Sequence, residues 1–169
     1  MRTLYLLRHA KSSWDDAALA DHERPLAPRG RKAGRHLARW IDEHEVRPQL
    51  VVCSNALRAR QTLELVLQAL GEPPVSLEDA LYHGWTDELL ERVRALDDAD
   101  EAVLLVGHNP PLQNLCLLLA APSLERDRIA SKLPTGALVG LALDVPSWAD
   151  VGEAQARVTA LVLPRELAS

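Results

Sequence analysis

The chain of 169 residues contains no phenylalanine, one methionine and two cysteines, and its only aromatic residues are four tryptophans and two tyrosines. Leucine, valine and alanine must therefore fill the core. Cys53 and Cys116 lie far apart among apolar residues and form no C-x-x-C pair. Two buried free thiols are expected, and with them a reducing, cytoplasmic compartment. No set of His, Cys, Asp and Glu has the spacing of a structural zinc site, so no metal is expected. No apolar run approaches the roughly 18 residues of a membrane span, and Arg8 cuts the apolar N-terminal stretch short of a signal-peptide core. A basic block is also missing, and with a net charge of −5 nucleic acid is an unexpected partner. The hydrophobic content of 47% is ordinary for a globular protein. The length suits one domain over residues 1–169.

What the chain does have is an alternation of short apolar runs and helical patterns. Residues 3–7, 50–53, 75–77 and 102–106 read as brief strands. A helix is expected from Pro28, with Ala33, Leu37, Trp40 and Ile41 on its apolar face and Arg29, Arg31, Lys32, Arg35 and Arg39 solvated. Ser54-Asn55 is placed to cap a second helix carrying Ala59, Leu63, Val66, Leu67 and Leu70, which Gly71 and Pro73-Pro74 stop. A third helix spans residues 87–96 behind Thr86 as N-cap, with Leu89, Leu90 and Val93 inward. A fourth opens at Pro110 or Pro111, buries Leu112, Leu115, Cys116 and Leu119, and closes at Pro122. Residues 137–143 and 157–163 are strand-like with no helical pattern between them. The pattern predicts an α/β three-layer sandwich: a mostly parallel central sheet, helices on both faces and an antiparallel edge.

Three strand ends carry chemistry. Arg8-His9 follows the first strand, Ser54-Asn55 with Arg58 the second, and Gly107-His108-Asn109 the strand at 102–106. In an open parallel sheet these ends share one rim, where such folds bind ligands. Two arginines there offer planar forks matched to phosphate oxygens. They also disfavour the protonated form of a neighbouring histidine, and a neutral imidazole is a nucleophile. A nucleophile beside an anion clamp is equipment for phosphoryl transfer. His22, His36 and His44 are expected to face solvent. His83 is placed to border the crevice, and Trp14, Trp85 and Trp148 suit either a substrate surface or packing.

These residues resemble the histidine phosphatase superfamily, which includes phosphoglycerate mutases and acid phosphatases. Leu6-Leu7-Arg8-His9-Ala10 is similar to its Arg-His-Gly motif, Ser54 to Thr62 to its second arginine motif, and Val106-Gly107-His108-Asn109 to its second histidine. More narrowly, Arg8 to Trp14, Arg24-Pro25-Leu26 and Leu81-Tyr82 resemble the short SixA-type phosphohistidine phosphatases. The resemblance implies a phosphoglycerate mutase-like fold and no cofactor. It implies His9 as the nucleophile that becomes phosphorylated, and Arg8, Arg58 and His108 as catalytic residues holding the phosphoryl oxygens. Lys11, Ser12 and Ser13 continue the phosphate loop as further substrate-binding residues. Ala10 stands where the family usually has glycine, a change the SixA-like branch shares. The general-acid glutamate of the mutases has no counterpart: Glu78, Asp79, Tyr82, His83, Asp87 and Glu88 form no recognisable motif.

The reading is a metal-independent phosphatase acting through a phosphohistidine intermediate on a phosphorylated protein. The alternatives are a sugar-phosphate phosphatase or mutase, and a non-catalytic phosphate-binding module. Short connections leave the site uncovered, which suits a bulky phosphate better than a small one that must be shielded from water. A binder would not require a nucleophile at His9.

Overall fold

The computed structural model describes residues 1–167. Its strands are β1 (Arg2–Arg8), β2 (Leu50–Ser54), β3 (Val75–Glu78), β4 (Ala102–Gly107), β5 (Leu138–Leu143) and β6 (Ala156–Val162), in one sheet of order β3-β2-β4-β1-β5-β6. β1, β2, β3 and β4 pair in parallel, and β5 and β6 complete the sheet antiparallel. The helices are α1 (Pro28–Glu43), α2 (Leu57–Val66), α3 (Ala80–His83), α4 (Thr86–Arg94), α5 (Pro111–Leu119), α6 (Leu124–Ser131) and α7 (Pro164–Leu167).

The central strands are apolar throughout because both faces are covered. Leu4, Leu6, Val52, Val103 and Leu105 face a core closed by Leu89 and Val93 of α4, Leu112 and Leu115 of α5 and Ile129 of α6. Leu7, Val51, Cys53, Leu104 and Val106 face the other, closed by Leu37 and Ile41 of α1 and Leu63 and Val66 of α2. This is the expected three-layer α/β sandwich with its antiparallel edge. Cys53 and Cys116 are buried free thiols, and burial pushes each up to about 12. No helix among the described residues is long and apolar enough to cross a membrane.

The aliphatic interior has one aromatic exception. Trp148 is fully buried and donates its indole N–H to the Asp100 carbonyl at 2.7 Å. Trp14 and Trp85 remain exposed.

Four local expectations need correction. α6 was not expected. It buries only Ile129, so it has no apolar period, and its signal lies in Ser123, whose hydroxyl accepts from the Arg126 N–H at 3.0 Å, with Glu125 and Asp127 in the first turn. α3, a single turn, was not expected either. Ala56, not Ser54 or Asn55, is the N-cap of α2, because both side chains turn toward the crevice. Thr86 is the first residue of α4 rather than its cap, and Trp85 takes that position.

Replacing Trp148 by alanine removes the largest buried side chain and orphans the Asp100 carbonyl. Trp148→Ala is expected to cost about 3–5 kcal/mol of stability in urea unfolding. A loss below about 1 kcal/mol would contradict its role in the core.

Candidate active site

The rim formed by the C-terminal ends of β1, β4 and β2 collects the polar residues. The parallel register pairs Arg8 with Gly107, so the next residue on each strand, His9 and His108, emerges beside the other. Their ring centroids are 5.0 Å apart. His9 is held by its backbone: its N–H donates to the Gly107 carbonyl at 3.0 Å, and its carbonyl accepts from the Gly136 N–H at 2.9 Å. The following Ala10 N–H donates to the Thr62 hydroxyl at 3.0 Å, and that hydroxyl donates to the Arg58 carbonyl at 2.7 Å. The histidine loop and the first turn of α2 are thereby fixed to one another.

Hydrogen bonding assigns the tautomers. His9 Nδ1 lies 2.7 Å from the Ala10 carbonyl. A carbonyl only accepts, so Nδ1 carries the proton and Nε2 keeps its lone pair. Ser54 is fully buried. Its Oγ accepts from the Ala56 N–H at 3.2 Å and lies 2.7 Å from His108 Nε2. The Ser54 hydroxyl proton finds its acceptor in that Nε2, which places the one N–H proton of the neutral His108 ring on Nδ1. His108 Nδ1 is buried and has no partner: a donor that an anion would satisfy.

Both rings are neutral at pH 7. Burial, reinforced by the charges of Arg58, Arg8 and Arg24 against the opposing Ala10 carbonyl, lowers His9 to about 4. Burial together with His9, Arg58 and Arg8, opposed by Asp21, lowers His108 to about 3.

The arginines sit differently. Arg8 is half-buried, donates through Nη1 to the Leu133 carbonyl at 2.9 Å, and leaves its Nε buried and unpartnered. Arg58, 7% exposed, already has an anion. It donates to the Asp21 carbonyl at 2.7 Å and to Asp21 Oδ2 at 3.0 Å. Asp21 also accepts from Arg24 Nη1 at 2.9 Å and from the Tyr82 hydroxyl at 2.7 Å. Burial pushes the Asp21 carboxyl up, and the three hydrogen bonds from Tyr82, Arg58 and Arg24 outweigh it, holding Asp21 well below the usual carboxylate range. The sequence reading passed over Asp21. Its signal was the Asp21-x-x-Arg24 spacing, one charged pair opposite the arginine of α2.

The remaining site residues fall apart from the histidine pair. Lys11 is exposed. Ser12 Oγ accepts from Arg24 Nη2, and the Ser13 carbonyl accepts from Arg24 Nε at 3.0 Å, so these two serines support Arg24 in this structure. The expectation that His22 faces solvent fails: it donates to Asn55 Oδ1 at 3.0 Å and packs edge-on against Tyr82 with centroids 4.9 Å apart. His36 is partly buried, and His44 is exposed and stacks on Trp40. None of the acid candidates bonds to either site histidine. Glu78 pairs with Arg92 at 2.7 and 2.8 Å, a contact that lowers its carboxyl. Asp79 is exposed and accepts from Asn55 Nδ2 at 2.9 Å, while Asp87 and Glu88 lie exposed in the first turn of α4. No group of three or more His, Cys, Asp or Glu among the described residues is arranged to hold a metal.

Residues 4–83 match the model of the histidine phosphatase superfamily, branch 1. An uncharacterised protein of Mycobacterium tuberculosis is 33% identical over 163 residues, spanning 94% of this chain and 100% of that protein. The phosphohistidine phosphatase SixA of Escherichia coli is 36% identical over 70 residues, 41% of this chain and 42% of the other. A solved SixA structure from Nakamurella multipartitia superposes with a TM-score of 0.82 at 33% identity, covering 96% of each chain.

NMR titration of the imidazoles tests the electrostatics. His9 is expected to titrate near 4 and His108 near 3, with ¹⁵N shifts reporting a proton on Nδ1 in each. Because both native values lie below the ordinary 6.5, the unfolded chain binds more protons below that pH. Stability present above pH 6.5 is therefore expected to fall as pH drops through about 4. A His9 that titrates at or above 6.5 would overturn the neutral-ring assignment.

Proposed function

Since the chain belongs to the histidine phosphatase superfamily, in its SixA-type branch, we propose that it hydrolyses protein phosphohistidine through a phosphoryl intermediate on His9. One observation carries this reading: a neutral, buried imidazole whose Nδ1 proton is held by the Ala10 carbonyl, leaving the Nε2 lone pair free on a ring that the charges of Arg58 and Arg8 keep unprotonated. The single-domain, metal-independent, cytoplasmic character expected from the sequence belongs to the same proposal.

In the first step His9 Nε2 attacks phosphorus. The substrate imidazole takes a proton from solvent on its other ring nitrogen; the new P–N bond then forms as the bond to that imidazole breaks, and the electron pair leaves with it as a neutral ring. The His9 ring, still protonated on Nδ1, gains positive charge, and its bond to the Ala10 carbonyl becomes charge-assisted. Arg8, Arg58 and the free Nδ1–H of His108 bind the phosphoryl oxygens where charge accumulates. Asp21 and Tyr82 orient Arg58, and Arg24 orients Asp21. In the second step water attacks phosphorus and the P–Nε2 bond breaks. The water proton goes to solvent, inorganic phosphate leaves, and His9 returns to its neutral form.

The site lacks a protonated carboxyl. Asp21 is held as a carboxylate, and Glu78 is tied to Arg92. An alkoxide leaving group needs a proton from a positioned acid. A phosphohistidine ring protonated by solvent on its other nitrogen departs as neutral imidazole, whose conjugate acid has a pKa of about 6.5, and needs no acid from the enzyme. The exposed Trp14, on whose ring the Arg24 guanidinium stacks at 3.2 Å, adds an amphipathic surface of the kind protein interfaces use. A sugar-phosphate substrate and a non-catalytic role remain as outcomes of the test.

That test is kcat/KM over leaving groups of graded basicity: a phosphohistidine peptide, aryl phosphates, a phosphoserine peptide and a sugar phosphate. A steep decline in that order is expected, unaffected by EDTA. His9→Ala should abolish turnover, and Arg58→Ala should lower it by about 10²-fold or more. Equal rates on alkyl and imidazole phosphates, or turnover by His9→Ala, would refute the mechanism.

A further inference from the structure

Beside the histidine crevice the surface opens into a second concavity of about 770 Å³, between α1, the C-terminal end of α6 and the start of α7. Its rim carries six cationic side chains: Lys11, Arg29, Lys32, Arg128, Lys132 and Arg165. Among the described residues no carboxylate lines it; the nearby Glu166 approaches Arg128 at 3.5 Å. In a chain of net charge −5 such a one-sided cluster needs a reason. Arg29, Lys32 and His36 recur at helical spacing on α1, so the two cations Arg29 and Lys32, expected to be merely solvated, share one groove. All three lysines of the chain, Lys11, Lys32 and Lys132, are on its lining.

The groove and the crevice share a wall. The Leu133 carbonyl accepts from Arg8 Nη1 and from Asn109 Nδ2, each at 2.9 Å, and its neighbours Lys132 and Pro134 line the groove. The Gly136 N–H bonds the Arg8 and His9 carbonyls at 3.0 and 2.9 Å. Lys11 lies two residues past His9, and its carbonyl accepts from the Ala27 N–H at 2.9 Å at the entrance to α1.

The chemistry of the lining narrows the ligand. The cations belong to four separate segments, and all are exposed or partly exposed, so they do not converge on one small anion. The floor includes Leu161, Leu163 and Pro134, which suits apolar side chains. The lining has no Phe, Tyr or Trp on which a base could stack. A concave groove does not fit a flat bilayer. What remains is an acidic polypeptide with apolar residues interspersed.

We infer that this groove docks an acidic segment of the phosphoprotein whose phosphoryl group enters the adjacent crevice. The inference rests on the proposed protein substrate and adds the charge of its docking surface. Electrostatic attraction along the groove speeds encounter and orients the phosphoryl group toward His9.

A direct binding measurement separates this inference from the phosphatase reading. The probe is a fluorescein-labelled peptide of glutamates interrupted by two leucines, followed by anisotropy. Wild type is expected to bind it, more weakly as salt rises. The double variant Lys32→Glu/Arg165→Glu should bind it at least about tenfold more weakly, with an unchanged circular dichroism spectrum and turnover of a small aryl phosphate within about twofold, because neither residue contacts the crevice. In parallel, amine acetylation read by mass spectrometry should show the peptide protecting Lys11, Lys32 and Lys132 and not the Met1 amine. No binding by wild type, equal binding by the folded variant, or tighter binding of a thymidylate oligomer or of phosphatidylglycerol vesicles would overturn the inference. Failure of the phosphohistidine reading would appear in the leaving-group series and would leave peptide binding intact.

Discussion

The parallel register of β1 on β4, pairing Arg8 with Gly107, brings His9 and His108 out of adjacent strand ends with their rings 5.0 Å apart. A slip of one residue would turn every side chain of β1 to the opposite face, and the register is therefore held by both cores at once. Leu4 and Leu6 pack on one face and Leu7 on the other, so the same apolar residues that stabilise the sheet aim the histidine pair. β2, on the far side of β4, delivers Ser54 to His108 and the first turn of α2 with Arg58 to the same rim.

The electrostatics follow from crowding cations around buried rings. Arg8, Arg58 and Arg24 each disfavour a proton on His9, and burial does so more strongly. A buried arginine in turn needs a counter-charge, which Asp21 supplies to Arg58 while also bonding Arg24 and Tyr82. One carboxylate thus positions two cations and a phenol, and lifts His108 against the pull of the arginines. The result is a strongly cationic crevice in which the nucleophile is still unprotonated.

Much of this was legible in the sequence. Uninterrupted apolar runs mark strands buried on both faces, and proline opens α1 and α5 as expected, whereas α2 ends at Val66, ahead of the expected stop at Gly71. The positions of His9, Arg58 and His108 at or just beyond strand ends are enough to place them at one rim. Three things were not legible, for physical reasons. α6 buries a single side chain and so has no periodicity to detect. The role of Asp21 depends on a loop folding back so that one carboxylate meets Arg58, 37 positions on, and Tyr82, 61 positions on. Composition reports net charge and not its distribution, so −5 concealed the cationic groove that only the meeting of α1, α6 and α7 assembles. Arg24 and Tyr82 lie in stretches that resemblance alone singled out, and the structure supplies their reason: both hold Asp21.

The most direct test of the chemistry is the position of the phosphoryl group on the imidazole. With Nδ1–H held by the Ala10 carbonyl at 2.7 Å, only Nε2 can attack. Rapid alkaline quench of the enzyme with a phosphodonor, followed by ³¹P NMR and mass spectrometry of the His9 peptide, should find one phosphoryl group per chain, on Nε2 of His9. A phosphoryl group on Nδ1, on His108 or on any other residue would contradict the assignment of His9 Nε2 as the nucleophile.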